Sequence, residues 1–284
     1  MPQTLADVLH YFIPEVGPGP ASAPARPQEG ALPATPPRLP FGLAKAPRPD
    51  ASPVPAVPLL AVPLGPRDVV RAAFVWNLGV ELARLGASST ILAPSADEGS
   101  ALWPEAGRGP LGSELVLTRA ESLEAVAGSA RSLAAARERE APHAPSLVLA
   151  AVPPAWLARG CDDAALLQRV LLFCSPDRRD LLETYAVVKR VLATSPTAQI
   201  GVTIHGVRSV AEARDAFLRL AGATERHLLR SLVSYGLIVD DLAVYRSILA
   251  QRAVSLAHPQ SAAARALGEV ARLLLRDLDG DPRA

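Results

Sequence analysis

RVLLFCSPDRRDLLETYAVVKRVLATSPTAQIGVTI, residues 169–204, decides the fold. It opens on the apolar run RVLLFC (169–174) and closes on QIGVTI (199–204). Apolar runs without polar alternation are buried on both faces, as in the interior of a parallel sheet. Between them lies a stretch of helix length, 177–194, introduced by the capping sequence Ser175-Pro176-Asp177. The same alternation runs outward. Further apolar runs are VPLLAVPL (57–64), STILA (89–93), LVLAAV (147–152) and LVSYGLIV (232–239). Further helix-length stretches are 67–86, 120–138, 209–230 and 259–278, with Ser209 and Glu212 spaced as a capping box. Strands alternating with helices predict a doubly wound α/β fold, its mainly parallel sheet covered on both sides. Such a sheet binds ligands outside the carboxyl ends of its strands. The first strand-to-helix turn, VPLGPRDVVRAAFVWNLGVELARLG (62–86), is therefore the candidate site.

Ahead of this region the chain changes character. Of 28 prolines in 284 residues, 17 fall in the first 66. Proline fixes φ and removes a donor, so neither helix nor ladder propagates through residues 17–55. Few bulky apolar residues are present to offset ordering entropy, which predicts a disordered or polyproline-like linker. Residues 1–16 are an exception. In TLADVLHYFIPE, Leu5, Val8, Leu9 and Phe12 form one apolar helical stripe, with Thr4 as N-cap and Pro14 as stop. A helix this short is marginal alone. It needs a surface, on its own domain or on a protein partner, and both remain open at this level. The expected organisation is a short interaction helix (1–16), a linker (17–55), one α/β domain (56–279) and a disordered tail (280–284).

Composition excludes several function classes. A formal charge of +1 supplies no drive toward nucleic acid or an anionic membrane. Two cysteines, Cys161 and Cys174, cannot staple a fold and suit a reducing compartment; with no basic leader or long apolar run, a cytoplasmic protein is expected. Cys174 reads as a small buried residue. The histidines have no zinc-type spacing, and His205 reads as a polar strand-end residue on the ligand side. No catalytic or metal-binding set emerges. Arg67, Arg71, Arg178, Arg179, Lys189 and Arg190 read as a solvated mixed-charge face. The last helix places Leu267, Val270, Leu274 and Leu278 on one face, and Asp277, Asp279 and Asp281 carry the wrong charge for lipid, so it should pack on the sheet.

The residue patterns carry a resemblance. NLGVELARLG (77–86), LLFCSPDRRDLLETYAVVKRVL (171–192), IGVTIHGVRSVAEARDAFLRLA (200–221) and YGLIVDDLAVYRSILAQRAVSLAHPQSAAARALGEVARLL (235–274) resemble the MinD/ParA-type P-loop ATPases, in particular the FlhG-type flagellar-number regulators. The family's Lys-Gly-Gly-Val-Gly-Lys-Thr-Thr loop aligns with Pro66, Arg67, Asp68, Val69, Val70, Arg71, Ala72 and Ala73. The resemblance implies lysines on phosphate, glycines for close approach and a threonine on Mg²⁺. Here Gly65 and the cation of Arg71 survive; the signature lysine is Pro66, the glycines are Arg67, Asp68 and Val70, and the metal hydroxyl is Ala72. After the second strand Ala93-Pro94 stands where the family has aspartates, with Asp97 displaced. The Walker B-like aspartate is Ala151, the adenine-side asparagine is His205, and the proline after the last strand is Val239. Phosphoryl transfer depends on positioning and charge neutralisation. The resemblance therefore implies a pseudo-ATPase without cofactor: a protein-interaction scaffold or regulator in spatial positioning, as a homodimer or as a heterodimer with an active homologue. The alternatives are a weak ATP/Mg²⁺ switch using Arg71, and a DNA-binding accessory factor.

Overall fold

The computed structural model describes residues 57–95, 103–141, 144–159 and 164–279. The expected N-terminal helix with Leu5, Val8, Leu9 and Phe12, the linker and the tail lie outside these residues, as do Asp97 and Cys161. Among the described residues eight strands form one sheet: β1 (Leu59–Pro63), β2 (Ser88–Pro94), β3 (Gly107–Arg108), β4 (Glu114–Thr118), β5 (Ser146–Val152), β6 (Arg169–Cys174), β7 (Gln199–Val207) and β8 (Val233–Val239). Their order is β3-β4-β2-β5-β1-β6-β7-β8. All pairs are parallel except β3 with β4. The longer helices are α1 (Val69–Arg84), α2 (Leu123–Glu140), α3 (Arg178–Thr194), α4 (Val210–Leu228) and α7 (Ala262–Asp279), with the shorter α5 (Leu242–Leu249) and α6 (Val254–Ala257) after β8.

Successive side chains of a strand point to opposite faces. On β1, Leu60 and Val62 enter a core with α1, α5, α6 and α7, whereas Leu59 and Ala61 enter a second core with α2, α3 and α4. On β5, Leu147, Leu149 and Ala151 face the first and Val148, Ala150 and Val152 the second. This two-sided burial is why the central strands read as unbroken apolar runs. Leu267, Val270, Leu274 and Leu278 of α7 are buried in the first core, as expected of packing on the sheet. Among the described residues no helix is long and apolar enough to cross a membrane.

Local chemistry sets the helix starts. Asp177 accepts from the amides of Arg179 and Asp180, and Ser209 Oγ accepts from Glu212 N. The capping box at α4 differs by one residue from the expected form, because Glu212 Oε2 accepts from Arg208 N at 2.7 Å, one position ahead of the cap. The sequence reading did not separate β3, β4, α5 and α6. β4 is a short edge-side strand, and α5 leaves Leu242, Tyr245 and Leu249 exposed, so neither carries the usual burial pattern.

At the β7–β8 edge, Tyr235 lies across Gly201, where a Cβ would fall inside the ring, and its hydroxyl donates to Asp277 of α7. Gly201→Ala should cost about 1–3 kcal/mol by overpacking. Denaturant unfolding of Gly201→Ala, Tyr235→Ala and the double variant measures it; the glycine effect should shrink in the Tyr235→Ala background.

Candidate functional site

β1 delivers the chain to the centre of the sheet's carboxyl end. Leu64 N still bonds Val152 O at 3.0 Å, and then the chain turns. Asp68 N donates to Gly65 O and Val69 N to Arg67 O, each at 3.1 Å, so these amides close the turn on itself. α1 begins at once, capped by Asp68, whose Oδ1 accepts from Arg71 N at 3.0 Å. A carboxylate belonging to the chain thus sits at the helix N-terminus, where an anion is stabilised by unsatisfied amides and the helix dipole.

Arg71 turns back over this cap. Its Nη1 lies 3.3 Å from Asp68 Oδ2, and its Nη2 donates to Asp180 Oδ1 in the first turn of α3. Its Nε donates to His205 Nε2 at 3.4 Å, at the carboxyl end of β7. Asp180 Oδ2 accepts from Ser175 N, which fixes the carboxylate from the far side. His205 rests on Phe74, with ring centres 5.1 Å apart, and Phe74 on Phe173 at 5.6 Å. One guanidinium therefore ties together the β1–α1 loop, α3 and β7.

The electrostatics follow from this arrangement. Burial works against the Arg71 charge, but the bond and charge of Asp180, then the charge of Asp68, raise its pKa above the ordinary value. Burial would lift Asp180, yet Arg71 and the Ser175 amide hold it below the usual carboxylate range. His205 is pushed down to about 4, first by burial and then by the Arg71 charge, so it is neutral and accepts from Arg71. Burial, followed by the Asp180 charge, pushes the Cys174 thiol up to about 12. A protonated thiol is not a nucleophile.

Gly65, Pro66, Arg67, Asp68, Val70, Arg71 and Ala72 all lie in this turn and the first turn of α1, and His205 joins them across β6. Ala72 is fully buried and Ala151, on β5, is 3% exposed. A magnesium triphosphate needs free amides, an uncommitted cation and an oxygen ligand for the metal. At this turn the cap takes the Arg71 amide, two carboxylates take its guanidinium, and methyl groups stand at positions 72 and 151. These side chains do not fit that group. Among the described residues no group of three or more His, Cys, Asp or Glu could hold a metal ion. Of the residues expected on a solvated mixed-charge face, Arg71 is instead withdrawn into the ion-pair cluster, whereas the exposed Arg179 pairs with Glu183 at 2.9 Å.

Sequence reading missed Asp180. The available signal was a second carboxylate three residues after the Asp177 cap, on a helix whose strand neighbours β1. It also missed two clefts flanking the β1–α1 loop. One, of about 370 Å³, is lined by Asp68, Arg71, Asp180, Glu183 and Arg190. The other, of about 560 Å³, lies toward β2 and β5 and is walled by Trp103 and Trp156.

No protein-family model and no curated protein sequence matches the chain. Solved structures do. A MinC:MinD cell division protein complex from Aquifex aeolicus matches 78% of this chain and 96% of that chain, with a TM-score of 0.55 and 12% identity. The Aquifex aeolicus MinD cell division protein matches 78% and 97%, with a TM-score of 0.53 and 13% identity. The Pyrococcus furiosus cell division ATPase MinD matches 77% and 98%, with a TM-score of 0.51 and 14% identity. At such identities the likeness shows the fold, and the fold is the MinD/ParA type of P-loop NTPase expected from the sequence.

Arg71→Met should lower stability by about 2–4 kcal/mol in denaturant unfolding, because Asp68 and Asp180, 27% and 15% exposed, lose their shared cation. Part should return when both aspartates become asparagine. The pH dependence has a definite sign. Unfolded His205 takes up a proton near 6.5 and the folded residue only near 4, so stability falls as pH drops between these values. The loss should be on the order of 2–3 kcal/mol and should flatten in His205→Gln. Asp180, held down in the folded state, adds a further loss below the usual carboxylate range.

Proposed function

We infer that this chain is a non-hydrolysing relative of the MinD/ParA-type positioning ATPases, of FlhG-like kind, acting in the cytoplasm as a protein-interaction scaffold or regulator. One observation carries the reading: Arg71, at the place of the phosphate-binding lysine, is held by Asp68, Asp180 and His205. An internal ion pair bridges the elements that a bound nucleotide would otherwise bridge, which supports a domain that rests in one state without ATP. A protein whose two states have no ligand to separate them is not a switch. It is better suited to presenting a surface continuously.

Such a surface implies partners. MinD of Aquifex aeolicus is found in a complex with MinC, which supports this fold as a platform for protein docking. In this chain the N-terminal stripe of Leu5, Val8, Leu9 and Phe12 is the natural recognition element, tethered by residues 17–55. At about 5–6 Å × √n, a tether of this length reaches some 35 Å. A second copy of the chain, or an active homologue, is the partner expected at the sheet's carboxyl end. The processes served by such proteins are flagellar placement, chromosome partitioning and polarity.

Calorimetry with Mg-ATP tests the loss of nucleotide binding. No binding in the micromolar range is expected, and micromolar affinity that disappears in Arg71→Ala would show a nucleotide switch instead. For the recognition helix, Leu9→Asp and Phe12→Asp should leave the melting temperature unchanged while abolishing capture of the partner retained by the full chain. A large drop in melting temperature would place the helix on its own core.

A further inference from the structure

Helix α5 is apolar on both sides. Ala243 and Val244 are buried against the domain, whereas Leu242, Tyr245 and Leu249 stand 68%, 45% and 86% exposed. These three side chains and the exposed Arg246 fall within about 100° of arc, turned away from the buried ones. A helix that is apolar all round belongs in an interior, and this outer strip has no cover among the described residues. The strip follows β8 directly, at the carboxyl end of the sheet.

The strip is complementary to itself. Leu242 and Leu249 are one heptad apart with Tyr245 between them, the contact positions of one helix in a two-helix seam. Arg246 flanks the seam on the side that, in a parallel pair, faces the partner's residue five positions earlier. That residue is Asp241, with Asp240 next to it. Asp241 is fixed at the helix start, because Oδ1 accepts from Ala243 N at 2.9 Å and Oδ2 from Ala263 N at 3.1 Å. Asp240 Oδ1 accepts from the Tyr245 hydroxyl at 3.4 Å, so it lies at the same end of the strip. The left-handed Gln251 (φ 51°) ends the helix before Arg252, the next cation, which lines a small cavity with Trp76 instead. In an antiparallel pair each flank would meet itself, arginine on arginine and aspartate on aspartate, and like charges repel. A surface with the apolar contacts and both halves of an ion pair in this order fits another copy of itself about a twofold axis parallel to the helix.

We propose that the outer strip of α5 is the contact between two copies of this chain, paired as parallel helices. Leu242, Tyr245 and Leu249 meet their counterparts, and Arg246 meets Asp241 of the other copy. This contact gives the second copy expected at this end of the sheet its surface, and so rests on that reading; it requires no nucleotide. The helix rises only about 12 Å at 1.5 Å per residue. Each copy therefore buries less than the ~800 Å² of a stable interface, and the pair dissociates on dilution.

Sedimentation of the full chain over a concentration series should show the mass rising from one chain toward two. Leu249→Asp and Arg246→Glu, both at exposed positions, should each abolish the rise without moving the melting temperature. Orientation is read from single cysteines, Leu242→Cys and Leu249→Cys, each in a Cys161→Ser background with Cys174 left as a buried, protonated thiol. On oxidation each variant should cross-link to itself, because parallel helices bring like positions together. A monomer at every concentration overturns the proposal, as do cross-links that form only when the two variants are mixed. Dimer lost in Leu9→Asp also overturns it, because the N-terminal helix is then what covers the strip. None of these outcomes bears on Mg-ATP binding, which calorimetry decides separately.

Discussion

The Arg71 guanidinium, placed between Asp68 and Asp180, is the contact on which the carboxyl end of the sheet depends. Three elements distant in sequence converge on it. A charge half-removed from water is tolerated only when paired and hydrogen-bonded. Here the pairing is complete on the arginine side, with Nη1, Nη2 and Nε all engaged. Asp68 serves twice, as helix cap and as counter-ion, so helix start and ion pair stabilise each other. His205, kept neutral by burial and by the neighbouring cation, contributes an acceptor without adding charge.

The body of the domain stands on a different principle. With few aromatics, its interior is filled by Leu, Val and many Ala residues, which lets helices sit close to the strands. Close approach creates positions that accept nothing larger. At Gly79 a Cβ would meet Ile91, and the same approach lets Ser89 Oγ donate to Gly79 O at 2.6 Å. Asn77 binds Ala73 O through Nδ2 and accepts from Val254 N at 2.6 Å, joining α1 to α6 in a buried place. Because interiors pack at crystal-like density, such contacts hold α1 in one position, and α1 in turn holds Arg71.

Much of the fold was legible because β1, β2, β5, β6 and β7 lie inside the sheet and must be apolar on both faces. The caps at Asp177 and Ser209 were legible because they are local, resolved within four residues. β4 and α5 were not. Near the edge of the sheet, or with one face exposed, a segment keeps polar residues and loses its periodic signature. At the site, the turn at 65–72 and His205 lie at the carboxyl ends of β1 and β7, positions that follow from the order of strands and helices alone. Asp180 escaped notice because a carboxylate in a first helical turn already has an adequate local explanation in the helix dipole.

The sequence by itself determined the strand and helix order, the turn after β1 as the place of interest, and the single glycine, Gly65, with no lysine or threonine, among residues 65–72. These follow from side-chain type and spacing, which a linear chain displays. Only the tertiary structure decided what Arg71 does. As a cation in a loop it could equally face a phosphate, solvent or nucleic acid. Strand order brings Asp180 and His205, 109 and 134 residues away, to within hydrogen-bonding distance of it. Electrostatic and packing energies depend on distance in space and on exclusion of water, and neither is a property of position along the chain.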